Sequence, residues 1–254
     1  MSTLFDLTGK VAIITGSTKG IGKAIAEEYA KAGAKVVISS RKADVCEQVA
    51  SDLRAQGFEA LPVACHVGDK AQLQNLVDQT IAAYGQIDIL VCNAATNPVY
   101  GPTHSVSDEA FDKIMGTNVK GTFWLCNMAI PHMVKQGGGS IVLLSSIAGI
   151  RASANIGVYG MSKAAEAGLA RNLSLEWGPQ NIRVNSIAPG LIRTDFAQAL
   201  LDDPDRLKRV EEKLPLRRVG EPTDIAGVAL FLGSQAGAYV TGQTIVADGG
   251  DTIT

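Results

Sequence analysis

Val11-Ala12-Ile13-Ile14-Thr15-Gly16-Ser17-Thr18-Lys19-Gly20-Ile21-Gly22 is the stretch on which the fold turns. A short β-rich run leads directly into three glycines, and residues 23–32 then read as a helix closed by Gly33. Strand, glycine turn and helix follow one another with no linker. At such a junction Gly16, Gly20 and Gly22 let the backbone turn sharply and approach a pyrophosphate, whose charge sits at the helix N-terminus. The spacing departs from Gly-x-Gly-x-x-Gly, and Ala24 after Lys23 excludes a Walker-type phosphate loop.

The same alternation continues outward. Residues 35–40 make a second strand, 43–55 a second helix, 60–65 a third strand, 69–84 a helix and 87–92 a fourth strand. A long helical pattern over 108–136 precedes a fifth strand at 140–144; a sixth at 182–187 and a seventh at 243–247 follow. Strands alternating with helices of this length imply βαβ units with right-handed crossovers. The fold class is therefore α/β: a seven-stranded, mostly parallel sheet with helices on both faces. The strands are continuously apolar, as strands buried on both faces are. With no linker, repeat or low-complexity tract, residues 1–254 read as a single domain. Residues 189–222 are the least regular segment and are expected to form a mobile flap over the site.

The chain has 254 residues, 46% of them hydrophobic and 19% charged, which is enough for a large core. A net charge of −2 without any basic block argues against nucleic acid or an anionic membrane as partner. Cys46, Cys65, Cys92 and Cys126 are too widely spaced for a redox or metal motif and read as buried free thiols. His66, His104 and His132 form no ligand cluster, so no metal is implied. No apolar run reaches the length of a membrane span.

A second stretch carries chemistry. Tyr159-Gly160-Met161-Ser162-Lys163 runs into an Ala-rich segment free of proline up to Pro179, so it opens a helix and sets phenol and ammonium one turn apart on one face. A phenol of pKa about 10 is a poor proton carrier near neutrality, and a cation one turn away favours its phenolate. Taken alone, such a pair also occurs on many solvated helices.

Together the residues resemble a family, the classical short-chain dehydrogenases/reductases, whose members are single-domain Rossmann enzymes of about this length. The resemblance rests on Thr15-Gly16 with Gly20 and Gly22, Asn93-Ala94-Ala95 after the fourth strand, Asn118, Ser145-Ser146, Tyr159 with Lys163, and Pro189-Gly190 after the sixth strand. These motifs span nearly the whole chain in the family's order. Ala95 stands where the family usually has glycine, which a negative φ tolerates.

The resemblance implies roles. Tyr159 is the general acid in reduction and the base in oxidation, and Lys163 holds the nicotinamide ribose and lowers the tyrosine pKa. Ser146 bonds the substrate oxygen, Asn118 holds a water in the proton path, and Asn93 supports the cofactor end of the sheet. Thr194, following Pro189, Gly190 and Ile192, bonds the carboxamide. The implied chemistry is hydride transfer by nicotinamide. Cofactors of this kind without a 2′-phosphate usually meet an acidic residue at the end of the second strand. Here that position reads Ser39-Ser40-Arg41-Lys42, with no carboxylate. Arg41 offers a planar fork for a 2′-phosphate and Lys19 a second positive charge, so NADP(H) is the expected cofactor. His66 and Val67 are placed near the adenine, where His66 stacks on or bonds the base, or caps the strand.

Within the family the sequence is most similar to the NADPH-dependent carbonyl and retinal reductases. The runner-up is a 3-oxoacyl carrier-protein reductase, which needs a basic patch near the pocket mouth. Gly137 and Gln180 occupy positions where that branch carries arginines. A different class is a Rossmann protein that senses nucleotide without turnover, against which the intact set of Ser146, Tyr159 and Lys163 argues. Residues 96–103, 150–156 and 191–201 are expected to line a mainly apolar pocket for a ketone or aldehyde. Small side chains at Ala164, Ala165, Ala167, Gly168 and Ala170 suit close helix pairing, and the resemblance implies a homotetramer. The ending Asp251-Thr252-Ile253-Thr254 is not a peroxisomal signal, and the cytoplasm is the expected location.

Overall fold

The computed structural model describes residues 3–197 and 202–254. Its centre is one seven-stranded sheet of β1 (Val11–Thr15), β2 (Lys35–Ser39), β3 (Ala60–Pro62), β4 (Ile89–Cys92), β5 (Gly139–Leu144), β6 (Ile182–Pro189) and β7 (Thr244–Ala247), in the order β3-β2-β1-β4-β5-β6-β7. Every pairing among these strands is parallel, and the seven-stranded sheet is the one expected. Each strand reaches the next through a crossover rather than a hairpin, so all seven run the same way.

The helices are α1 (Gly20–Lys31), α2 (Ala43–Ala55), α3 (Lys70–Tyr84), α4 (Asp108–Ile114), α5 (Thr122–Lys135), α6 (Gly157–Trp177), α7 (Pro204–Lys213) and α8 (Pro222–Gly233). Side chains alternate along a strand, so successive residues feed opposite layers. Ala12, Ile14, Val36 and Ile38 join Ile25, Ala50 and Ala229 in one core. Ile13, Val37, Leu90 and Ile141 join Leu73, Leu125 and Ala170 in the other. All five residues of β1 are buried, as a central strand covered on both faces requires.

Two sequence expectations shift. β3 is shorter than expected, ending at Pro62, although Val63 and Cys65 still donate to the carbonyls of Ile38 and Ser40 at 2.9 and 2.8 Å; the proline is tolerated because β3 is the edge strand and its nitrogen faces away from β2. The helical pattern over 108–136 is not one helix: a π-helical turn at Met115–Gly121 separates α4 from α5. At its end Gly121 packs so closely that a Cβ would lie 2.2 Å from the Val67 carbonyl oxygen. The wide turn lets the helix meet the loop after β3 and aims Asn118 inward.

In the irregular segment after β6, Ile192 bridges to Gly220 and α7 lies between them in sequence. Residues 198–201, part of the expected flap and pocket lining, lie outside the described residues. The strand order reverses between β1 and β4, and such a reversal opens a crevice at the carboxyl ends of the strands.

Candidate active site

The crevice floor is built by Thr15 and Asn93, the residues that end or follow its two strands. Thr15 Oγ1 accepts from the amides of Asn93 and Ala94 at 3.0 and 3.1 Å. Asn93 Nδ2 in turn donates to the carbonyls of Thr15 and Gly16 at 2.8 and 3.2 Å. This stitch holds the glycine turn in place. Gly16 and Gly20 have φ of +66° and +55°, and a Cβ on Gly22 would lie 2.4 Å from both Asn93 Nδ2 and the Gly16 carbonyl oxygen. Only glycine fits there. Ala95, by contrast, is not among the non-glycine residues of positive φ, so its methyl is accommodated.

The turn delivers the N-terminus of α1 to the crevice without a side-chain cap and without an acidic residue in its first turn. Its free amides and dipole therefore suit an anion. The residues present thus fit a dinucleotide pyrophosphate: Thr18, Gly20 and Ile21 lie at this mouth, and Thr194 stands across it, its Cγ2 3.2 Å from where a Gly20 Cβ would sit. Ser17 is a correction. It is fully buried, its hydroxyl donates to the Ile14 carbonyl and accepts from the Ser39 amide, and its own amide donates to Ser39. Ser17 braces β1 against β2 and does not face the crevice.

At the end of β2, Ser40 is occupied by Cys46, whose Sγ lies 3.2 Å from the Ser40 hydroxyl. Arg41 and Lys42 are exposed beside it, and Arg41 forms no ion pair with the described residues. Lys19 is paired with Asp195 across the crevice at 3.1 Å. His66 has a local task, its Nδ1 accepting the Gly68 amide at 3.0 Å while Gln72 Oε1 accepts the His66 amide. On the far side, Gly190 turns against Asp248, and a Cβ would lie 2.8 Å from the Asp248 Cα. Pro189 closes β6 before it, and Ile192 is buried beyond.

Ser146, Tyr159, Lys163 and Asn118 come from three different elements and meet at one place. Ser146 follows β5, where its Oγ accepts the Ala148 amide at 3.1 Å, and its hydroxyl acts on the Tyr159 phenol of α6. Lys163 Nζ lies 5.6 Å from the centre of the Tyr159 ring, as one helical turn dictates. Phe196 covers the ring from the segment after β6, with centroids 5.9 Å apart. Asn118 is fully buried: its Nδ2 donates to the Thr96 carbonyl and to Ser162 Oγ, both at 3.0 Å, and its Oδ1 accepts the Thr96 amide. Both of its side-chain hydrogens are therefore committed to joining the loop after β4 to α6. Ser162 passes the link on by donating to the Tyr159 carbonyl at 2.7 Å.

The electrostatics correct one expectation. Burial pushes the Tyr159 phenol above its ordinary value; Lys163 and the Ser146 hydroxyl pull it down, but Glu166 opposes them. Sequence motifs gave no sign of Glu166. It lies three residues beyond Lys163, is 1% exposed, and approaches Lys163 Nζ with both carboxylate oxygens, at 3.1 and 2.9 Å. Lys163 Nζ also donates to the Leu144 carbonyl at 2.6 Å. Burial alone lowers the lysine's proton affinity, but Glu166 more than restores it. Its ammonium is therefore turned into the protein, and reaching a ribose hydroxyl means exchanging one of these partners.

The four cysteines are free and buried, as expected. A cavity of about 370 Å³ opens at the opposite edge of the sheet, between Lys10, Asp88, Gln136 and Arg183. It faces the amino ends of the strands, away from Tyr159. Among the described residues, no helix is long and apolar enough to cross a membrane.

Comparison with known proteins agrees with this geometry. A family model described as enoyl-(acyl carrier protein) reductase matches residues 16–252. The chain is 45% identical over 244 residues to dehydrogenase/reductase SDR family member 4 of Oryctolagus cuniculus, covering 96% of this chain and 94% of the relative. A gluconate 5-dehydrogenase from Burkholderia cenocepacia J2315, solved with NADP and tartrate, superposes with a TM-score of 0.95 at 32% identity, over 99% of this chain and 98% of the other. A 7α-hydroxysteroid dehydrogenase, solved with NADH and 7-oxo glycochenodeoxycholic acid, gives 0.94 at 38% identity over 98% and 97%. With its parallel sheet, glycine turn and Ser146-Tyr159-Lys163 cluster, the chain belongs to the short-chain dehydrogenase/reductase family of oxidoreductases.

Proposed function

We propose that the protein interconverts a ketone or aldehyde and its alcohol with NADP(H), using Tyr159 as general acid in reduction and general base in oxidation. The observation that carries this reading is the convergence of Ser146, Tyr159 and Lys163 beside the uncapped N-terminus of α1. A bound nicotinamide supplies or accepts the hydride. Ser146 orients the substrate oxygen toward the Tyr159 hydroxyl, which gives up its proton as that oxygen gains charge. Lys163 acts on Tyr159 through its charge, and Asn118 holds the Thr96 loop and α6 in register around them. The free amides of α1 hold the pyrophosphate, with Gly16, Gly20 and Gly22 giving it room. Phe196, Tyr100 and Ile150 are exposed around the opening and favour an apolar substrate.

The relatives solved with nicotinamide name both NADP and NADH, so cofactor choice rests on this chain's own residues. Arg41, without an ion-pair partner among the described residues at the end of β2, is the group that favours the 2′-phosphate, with Lys19 as a second contact once it leaves Asp195. The carrier-protein reading has the description of the family model in its favour. Against it, Gly137 and Gln180 supply no positive charge at the positions where that branch carries arginines. The intact cluster argues against a nucleotide sensor. The test is a panel of ketones, aldehydes and a β-ketoacyl carrier protein with NADPH, in wild type and Tyr159→Phe. The variant is expected to bind NADPH and lose about 100-fold to 10,000-fold in reduction; near-normal turnover rejects the assignment.

The proposed assembly is a homotetramer. Met161 and Ala164 are exposed along α6 and Leu175 is 83% exposed near its end, which leaves a small-residue, apolar face for a second copy. Light scattering at micromolar concentration is expected to give about four times 26.6 kDa, and a species of one chain mass refutes it.

A further inference from the structure

Glu166 is a buried charge in direct contact with the proton-transfer cluster, and the motifs that define the site do not include it. It sits on the inward side of α6 with Lys163, the two side chains 1% and 2% exposed. The Lys163 ammonium is held between the Glu166 carboxylate and the Leu144 carbonyl at the end of β5. Ser145 Oγ fixes the same helical turn by donating to the Lys163 carbonyl at 2.7 Å. The titratable groups that sense Glu166 are Lys163 and Tyr159 on α6 and Cys92 on β4, which in turn senses Cys126 on α5. Ser145 and Leu144 offer this centre only uncharged groups.

An ammonium alone beside a phenol favours the phenolate. A carboxylate behind the ammonium turns a single charge into a dipole, whose field at the phenol is weaker. We propose that Glu166 is a positioning residue for proton transfer: it seats Lys163 against the end of β5 and offsets part of its charge, thereby setting the proton affinity of Tyr159. The inference rests on the reading of Tyr159 as the general acid and base. Burial pushes the Glu166 carboxyl up to about 7 while Lys163 pulls it down, so its charge changes near neutral pH. As pH falls through that region Glu166 takes up a proton, and Lys163 then acts on Tyr159 without opposition.

The test is the ultraviolet titration of the Tyr159 phenol, taken as each protein minus the same protein carrying Tyr159→Phe. Glu166→Gln keeps the shape and one acceptor but removes the charge, and it is expected to lower the midpoint by about one unit or more. Glu166→Asp restores the charge and is expected to return the midpoint toward wild type. If Glu166→Gln does not fold, Glu166→Leu gives the same uncharged comparison with an apolar side chain of similar size. A merely structural role lowers thermal stability without moving the midpoint, and that result overturns the proposal. Turnover by Tyr159→Phe removes the underlying reading, whereas an inactive Tyr159→Phe with an unmoved Glu166→Gln midpoint overturns the role of Glu166 alone.

Discussion

Lys19 Nζ lies 3.1 Å from Asp195 Oδ2 and ties the glycine turn to the segment after β6, with side chains 69% and 73% exposed. A bridge this open is worth no more than about 1 kcal/mol. It is therefore a contact that a dinucleotide phosphate can displace. Asp195→Asn releases Lys19 and is expected to tighten NADPH by up to about 5-fold, since 1.4 kcal/mol is tenfold. Fluorescence titration with both cofactors checks this. An equal gain for NADH shows that the bridge resists opening of the crevice and does not compete for the 2′-phosphate.

Arg41 differs from Lys19 in having no partner to give up among the described residues. Charge-assisted hydrogen bonds contribute roughly 1.5 to 3 kcal/mol, so Arg41→Ala is expected to weaken NADPH about 10-fold to 100-fold and leave NADH nearly unchanged. Ser40→Asp with Arg41→Ala is expected to go further, because the carboxylate repels a 2′-phosphate and bonds a free ribose hydroxyl. Since Arg41 supports nothing else in the described fold, the melting temperature of Arg41→Ala is expected to match wild type. A measurement of kcat/KM for both cofactors decides the matter, and equal weakening of the two makes Arg41 a surface charge.

What the chain discloses in sequence follows from what is local. The run from Val11 to Gly22 shows a strand, turn and helix because period, propensity and glycine placement all lie within twelve neighbouring positions. Tyr159 and Lys163 show their shared face for the same reason. The π-helical turn at Asn118 is hidden because its cause, the approach of Gly121 to Val67, is a tertiary contact. Ser17 looks like a phosphate contact until the partnership with Ile14 and Ser39 is seen. Glu166 reads as an ordinary helical glutamate three places after a lysine; only its burial against β5 changes its meaning.

The start of α8 gives a pH prediction. Asp224 accepts the Glu221 amide at 2.7 Å in a capping box and pairs with both terminal nitrogens of Arg218, at 2.6 and 2.9 Å. The Arg218 hydrogen bonds first, and the Glu221 amide second, hold its carboxyl down to about 2 from an ordinary 3.8. A depressed folded-state pKa contributes stability that is complete above 3.8 and lost as pH falls toward 2. With the Asp224 side chain 38% exposed, solvent screens the pair, so pairing and cap together are expected to give about 1 kcal/mol. Asp224→Asn is expected to lower the melting temperature by about 2 to 4 °C near neutrality and to converge with wild type near pH 2. A constant difference across that range assigns the effect to the cap alone.

Gly22 and Gly57 separate two reasons for glycine. At Gly57 φ is +88° and a Cβ meets nothing within 4 Å, so Gly57→Ala carries only the left-handed penalty, about 1 to 2 kcal/mol. At Gly22 φ is not positive, and the obstacle is space: a Cβ would lie 2.4 Å from the Gly16 carbonyl oxygen and from Asn93 Nδ2. Neither neighbour can yield freely, since Asn93 is fixed by the Thr15 and Gly16 carbonyls. Gly22→Ala therefore has to lift α1 from the turn or break the Asn93 stitch, and overpacking of this kind costs about 1 to 3 kcal/mol. Similar losses of stability are expected from the two variants, but only Gly22→Ala displaces the free amides of α1. Dinucleotide binding is expected to fall at least 10-fold in Gly22→Ala and to stay unchanged in Gly57→Ala, and calorimetric titration of both reads the difference. Retained binding in a folded Gly22→Ala places the pyrophosphate away from the α1 N-terminus.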